Sequence, residues 1–178
     1  MPSHRAASRY AKSLIELAQE QKILDEVYED MRLFSAVLDK NRIFAAMLKN
    51  PIIVHFKKIK VLHALFDNRM NKLTLAAFDL ITKKNRENIL AEIAIEYQIQ
   101  YNILKGLQEA EVTTTIKLDA ALRKKFSELV SQISGKEAKL KEIVNEDIVG
   151  GFVLNVGDRR LDQSIKTQLS NIKRELTN

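Results

Sequence analysis

Asn145 to Leu169 reads NEDIVGGFVLNVGDRRLDQSIKTQL, and this stretch decides what the second half of the chain is. The pair Gly150-Gly151 permits a bend or a close approach of backbones, because glycine lacks the Cβ that forbids such positions. Gly151 to Val156 then alternates as a strand, and Gly157-Asp158 turns the chain. Asp162 is placed to cap a last helix whose apolar stripe is Ile165, Leu169, Ile172 and Leu176.

Upstream of this unit, Lys139 to Asn145 reads as a second strand and Glu111 to Leu118 as a first. The latter is dense in β-branched residues and alternates Val112, Thr114, Ile116 and Leu118 against polar positions. Between them, Asp119 can cap a helix in which Leu122, Phe126, Leu129 and Ile133 recur at helical spacing, and Gly135 ends it. Gly106 marks the change of character, so residues 107–178 are expected to form a small α+β domain behind an N-terminal domain of residues 1–106.

The first 106 residues are helical in period almost throughout. Tyr10, Leu14 and Leu17 make a large apolar row, with Ala7, Ala11 and Ala18 beside it. Val27, Met31, Phe34 and Leu38 trace a second helix, and a short third runs near Arg42 to Leu48. Asn50-Pro51 breaks the pattern, because proline disfavours helical geometry in the residue before it. Phe56, Ile59, Leu62, His63 and Phe66 follow as a fourth face. Leu73, Ala77, Leu80 and Ile81, with Phe78 beside them, make a fifth. Ile89, Ile93, Tyr97 and Tyr101 step by four along a sixth. The predicted fold class is mainly α: a six-helix bundle followed by a small α+β domain.

Composition narrows the function classes. Five glycines and two prolines among 178 residues favour long helices, and the absence of cysteine excludes disulfides and thiolate metal sites. No apolar run approaches the roughly 20 residues of a membrane-spanning helix. The basic N-terminus enters the first helix directly from Arg5, which predicts a bacterial protein without a removable leader. The net charge is +6; residues 1–105 hold 17 Lys/Arg against 12 Asp/Glu, and residues 106–178 hold 12 against 11. Interleaving of acids and bases points to a solvated helical surface, not to a nucleic-acid footprint. The clusters Lys57-Lys58-Ile59-Lys60 and Arg123-Lys124-Lys125 are expected on solvent faces, and no aromatic residues interleave with them for base stacking.

No catalytic constellation emerges. Gly157 is followed by Asp158-Arg159, not by the Lys and Ser/Thr of a phosphate-binding loop. His4, His55 and His63 include no pair at metal-ligand spacing. Glu146, Asp147, Asp158 and Asp162 read as turn and cap residues, and Ser164 lacks the glycines of a nucleophile elbow. No catalytic residue, cofactor or metal is therefore expected. What remains is interaction: a first helix with large and small apolar rows can offer a groove to an amphipathic helix, although the same residues also suit an internal core.

End to end, the chain resembles the delta subunit of F-type ATP synthases, called the oligomycin-sensitivity-conferring protein in mitochondria. Arg9-Tyr10-Ala11-Lys12-Ser13-Leu14 is similar to the family's opening, and Met47-Leu48-Lys49-Asn50-Pro51 with Lys57 to its helix-breaking segment. Leu80 through Tyr97, with Arg86 and Ile93, is similar to its passage from fifth to sixth helix. The more specific match is Val149-Gly150-Gly151-Phe152, Gly157-Asp158, Asp162 and Ser164-Ile165; Gln163 stands where the family often carries a smaller residue.

The resemblance implies a non-catalytic stator subunit, one copy per complex, that joins the catalytic head to the peripheral stalk. It implies that the N-terminal bundle binds the N-terminal helix of an alpha subunit between its first and fifth helices, at Tyr10, Ala11, Leu14 and Ala18 on one side. Leu73, Ala77, Phe78 and Ile81 would lie opposite. It implies that the C-terminal domain, with Gly150, Gly151, Phe152, Gly157, Asp158, Asp162 and Ser164, engages the C-terminal end of the b-subunit stalk. No nucleic acid is expected as a partner, and the location implied is the cytoplasmic face of the bacterial inner membrane, peripheral through the complex.

Overall fold

Burial of one face of each periodic segment builds two units, divided between Tyr101 and Asn102. The computed structural model describes residues 2–177, with side chains from His4 to Arg174, so the side chain of Leu176 lies outside the described residues. No described helix is long and apolar enough to cross a membrane. Helices and one small four-stranded sheet make up the architecture.

The N-terminal unit holds α1 (Pro2–Glu20), α2 (Leu24–Lys40), α3 (Arg42–Lys49), α4 (His55–Phe66), α5 (Lys72–Lys83) and most of α6 (Leu90–Leu104). A 3-10 turn at Glu87–Ile89 leads into α6. Its core is the set of apolar faces read from the periodicity: Val27, Met31, Phe34, Leu62, Phe66, Phe78, Ile93 and Tyr97 are all buried. Phe34 sits at the centre, its ring 4.7 Å from that of Phe78 and 5.6 Å from that of Phe66. Tyr97 closes the core and donates its hydroxyl to the Leu24 carbonyl at 3.2 Å. Tyr101 stacks on Tyr28 and donates to Asp25 at 2.7 Å; burial first, and then that carboxylate, push its phenol up to about 12.

Three polar ties cross this apolar interior, and all of them hold α5 or its neighbours. Buried Asp30 of α2 accepts from the Thr74 hydroxyl at 2.6 Å and from the Asn71 amide at 2.9 Å, at the start of α5. Asn71 itself caps α5 by accepting from the Leu73 amide. His63 of α4 lies between two carboxylates, with Nδ1 2.7 Å from Asp67 and Nε2 3.0 Å from Asp79 of α5. Hydrogen bonding to Asp67 and then to Asp79 raises the His63 pKa above 6.5, because only the charged imidazole donates from both nitrogens.

The third tie corrects the sequence expectation. The sequence pattern puts Lys58 on the solvent face, yet it is 1% exposed and occupies the core position that Phe56, an exposed residue, does not take. Its ammonium donates to the Leu48 carbonyl at 3.0 Å, the Asn50 carbonyl at 2.7 Å and Glu87 Oε1 at 2.6 Å. Two acceptors are carbonyls at the end of α3 that have no partner within the helix, and the third is a buried carboxylate. All three ammonium protons are used, which is why a lysine is tolerated there.

The C-terminal unit holds β1 (Leu107–Thr114), α7 (Ala120–Ser134), β2 (Glu137–Val144), β3 (Phe152–Val156), β4 (Arg159–Asp162) and α8 (Ile165–Thr177). The sheet order is β2-β1-β3-β4, with β1 and β2 parallel and the other pairs antiparallel. The parallel pair requires a crossover, and α7 supplies it, capped by the Asp119 carboxylate accepting from the Leu122 amide at 2.7 Å. Phe126 and Val130 of α7 pack on Ala110, Val112, Leu154 and Val156 to form the core. Strand β1 starts earlier than its β-branched run suggested, and Ile116 lies exposed beyond its end. Strand β4 is absent from the sequence expectation, because Arg159-Arg160 carries no strand signal; it is a short charged edge, which resists pairing with another chain.

Two stability outcomes follow from the ties. Lys58→Ala leaves the Glu87 carboxyl buried without its partner, and is expected to destabilise the N-terminal unit by about 3–5 kcal/mol in urea unfolding at neutral pH. Combining Lys58→Met with Glu87→Gln should recover much of that loss, and an equal loss in both variants would contradict the pairing. For His63, a folded pKa above the unfolded one gives stability that is complete below pH 6.5 and fades as pH rises through the folded value. His63→Gln should therefore lower the Tm more at pH 5.5 than at pH 9, and a Tm difference independent of pH would count against the bridge.

Candidate functional site

Helix α1 turns its small residues inward. Ala7, Ala11 and Ala18 are fully buried, which lets neighbouring helices approach closely and leaves the larger residues at the rim. Helix α5, held by the Asp30, Asn71 and His63 ties, presents Leu73, Ala76, Ala77 and Leu80 beside that rim. Between the two lies an apolar groove of about 250 Å³, floored by Leu14, Phe78, Ile81 and Ile93 and bordered by Tyr10, Ser13 and Leu17. Leu17 is 45% exposed and Leu80 54%, so large apolar side chains stand in water along both edges.

Of the groove residues implied by the resemblance, the structure brings together Tyr10, Leu14, Leu73, Ala77, Phe78 and Ile81. Ala11 and Ala18 are not on its surface; they are buried beneath it, with no accessible area. Ser13, Leu17, Ala76, Leu80 and Ile93 line the groove without having been singled out for it. Leu17 and Leu80 carried a signal, since each belongs to an apolar stripe on the helix face concerned. Which members of a stripe face inward was settled only by packing.

One end of the groove is polar. Arg86, just before the 3-10 turn, lies over the Tyr10 ring at 5.9 Å and donates Nη1 to the Tyr10 hydroxyl at 3.1 Å. Arg9 and Ser13 complete a cavity of about 390 Å³ with Ala6. Tyr10 and Ser13 line both spaces, so the apolar groove runs into a basic mouth.

In the C-terminal unit, the glycine pair joins β3 to the start of α8. The Gly150 carbonyl accepts from the Ile165 amide at 3.0 Å, and the Gln163 amide donates to the Phe152 carbonyl at 2.9 Å. A Cβ on Gly150 would come within 2.6 Å of Ile165 Cδ1. On Gly151, where φ is +76°, it would collide with the Gln163 carbonyl oxygen, so that site admits no side chain without moving backbone, whereas at Gly150 the Ile165 side chain would have to give way. Val156 and Arg159 pair across Gly157-Asp158, a two-residue hairpin turn whose positive φ falls on the glycine.

Asp162 acts one step further back than a cap. It is the last residue of β4, and its carboxylate accepts from the Ser164 amide at 3.0 Å and hydroxyl at 2.7 Å. Ser164 precedes α8, and its oxygen accepts from the Thr167 amide at 3.3 Å, so the serine caps the helix and the aspartate orients the serine. The donors on Ser164, followed by Arg160, hold the Asp162 carboxyl at about 2. Ser164 is thereby committed to structure, its amide and hydroxyl both taken up by Asp162. Beyond the joint, Val149, Ile165, Leu169 and Ile172 are exposed apolar residues around the start and outer side of α8. The Arg123 guanidinium is engaged by Glu142, with Nε 2.5 Å from the carboxylate. Among the described residues, no group of three acidic or histidine side chains is arranged to hold a metal ion.

Comparison with known proteins gives one answer. The family described as ATP synthase delta (OSCP) subunit matches residues 6–176. The chain is 39% identical to the ATP synthase subunit delta of Cytophaga hutchinsonii, covering 99% of this chain and 97% of that one. It is 37% identical to the corresponding protein of Christiangramia forsetii, over 99% and 95%. It is 36% identical to that of Flavobacterium psychrophilum, over the whole of both. Among solved structures, a chain of the Toxoplasma gondii mitochondrial ATP synthase hexamer shares the fold with a TM-score of 0.70 at 23% identity, covering 97% of each chain.

Proposed function

The chain belongs to the ATP synthase delta (OSCP) subunit family, a non-catalytic peripheral-stalk component of the F-type ATP synthase, and from that premise we propose how its two units make the connection. The N-terminal unit holds the N-terminal helix of an alpha subunit in the groove between α1 and α5. The C-terminal unit engages the C-terminal end of the b-subunit stalk through the surface around Gly150, Gly151 and α8. The catalytic head is then tethered against rotor torque, so that proton flow drives ATP synthesis instead of turning the head. The place of action is the cytoplasmic face of the bacterial inner membrane, reached through the complex.

The observation that supports this reading is the exposed apolar edge of the groove. Leu17, Leu73 and Leu80 flank a trough only as wide as the gap between two helices, and an amphipathic helix has the matching shape. Burying each large side chain contributes roughly 1.5–3 kcal/mol, part of which offsets the freedom lost on association. Because the Asp30 and His63 ties fix α5 beforehand, and Lys58 pins the turn that follows it, little of that energy goes into ordering the groove.

The test uses exposed edge residues. Leu17→Asp and Leu80→Asp should each weaken calorimetric binding of an alpha-subunit N-terminal peptide by roughly ten- to a hundredfold. Far-UV circular dichroism and the Tm should stay near those of the parent. Affinity unchanged in both folded variants would remove the groove as the docking site. Ala11 and Phe78 are unsuitable probes, since both are buried and an aspartate there reports on folding.

A further inference from the structure

We propose that the basic mouth formed by Arg9 and Arg86 is a carboxylate-binding pocket that reads one acidic side chain of the docked helix, a turn beyond its outermost apolar anchor. The proposal rests on the groove being a helix-docking site. It adds a requirement that the apolar trough alone does not impose.

Arg86 is held but not neutralised. Its partners are the Tyr10 ring and hydroxyl, both uncharged, and they fix the guanidinium plane while leaving donors unused. Arg9 lines the same cavity. Among the described residues neither arginine is paired with a carboxylate, whereas Arg32, Lys58, Arg123 and Arg160 all are. Lys83 and Lys84, at the end of α5, add positive charge in the same stretch of chain. Two unneutralised guanidinium groups at the mouth of an apolar trough are complementary to an anion carried by whatever fills the trough.

Geometry selects the carrier. From Tyr10 to Leu17, α1 advances about 10 Å, which matches two turns of a partner helix. The cavity begins where the groove ends and shares Tyr10 and Ser13 with it. A carboxylate there sits three or four residues along the partner helix from the last side chain in the groove. A free anion or a nucleotide phosphate would use the arginines and leave Leu17, Leu73 and Leu80 in water. The joined sites therefore favour a protein helix bearing Asp or Glu.

The experiment is a double-mutant cycle on the full chain with the alpha-subunit N-terminal peptide. Each Asp or Glu of the peptide is replaced singly by its amide, and binding is measured to the parent, Arg86→Gln and Arg9→Gln. One replacement should weaken binding to the parent roughly tenfold, and Arg86→Gln should abolish most of that difference. If the peptide binds and no amide replacement matters, the carboxylate pocket is overturned while the groove stands. If one replacement matters equally on the parent and on both arginine variants, the acid is read elsewhere and the proposal fails. If millimolar inorganic phosphate removes the discrimination, the mouth is a general anion site and the commitment to a carboxylate is wrong. Absence of any peptide binding to the folded parent overturns the groove reading and this proposal together.

Discussion

A single buried ammonium organises the N-terminal unit. Lys58 reaches from α4 to the open carbonyls of α3 and to Glu87, the first residue of the turn that enters α6. That turn follows Arg86 directly and packs beside α1, α3 and α5, so the position of Arg86 against Tyr10 depends on where Glu87 is held. Buried charges are stabilising only when fully partnered, and this one has three acceptors for three protons. Its value lies in registering three chain segments relative to one another, which apolar contacts alone would do less selectively.

The groove is a consequence of that registration. Helix α5 is tied at its start by Asp30 and further along by His63, and the turn behind it is pinned by Lys58. With α5 held and alanines lining the inner side of α1, Leu17 and Leu80 stand exposed along the edges of the trough. In the C-terminal unit the same economy appears in backbone form. Gly150 and Gly151 allow β3 and the start of α8 to touch, and Asp162 and Ser164 spend their polar atoms on that joint.

Much of this was legible in the sequence, for identifiable reasons. Apolar residues at three- and four-residue spacing located the helices, because burial of one face leaves that mark at every turn. The glycine pair, the Gly157-Asp158 turn and the capping segment were legible as local backbone requirements. Lys58 was not, since its partners lie 10, 8 and 29 residues away and a lysine in an amphipathic helix normally faces water. Strand β4 escaped because two arginines at a sheet edge look like a loop. Ala11 and Ala18 lie in the same stripe as Leu14, and periodicity does not distinguish a residue that lines a groove from one that lets two helices close beneath it. The basic mouth was unreadable for a related reason: Arg9 and Arg86 are far apart in the chain and meet only after folding.

The central claim is that one helix of an alpha subunit lies between α1 and α5. Methyl NMR of the full chain, titrated with the alpha-subunit N-terminal peptide, tests it most directly. Shifts are expected to concentrate at Leu14, Leu17, Leu73, Leu80 and Ile81, with Ile165, Leu169 and Ile172 of α8 unmoved. Shifts concentrated instead at other exposed apolar residues, such as Ile43 and Ile52 or Ile95 and Ile99, would place the helix elsewhere and contradict it.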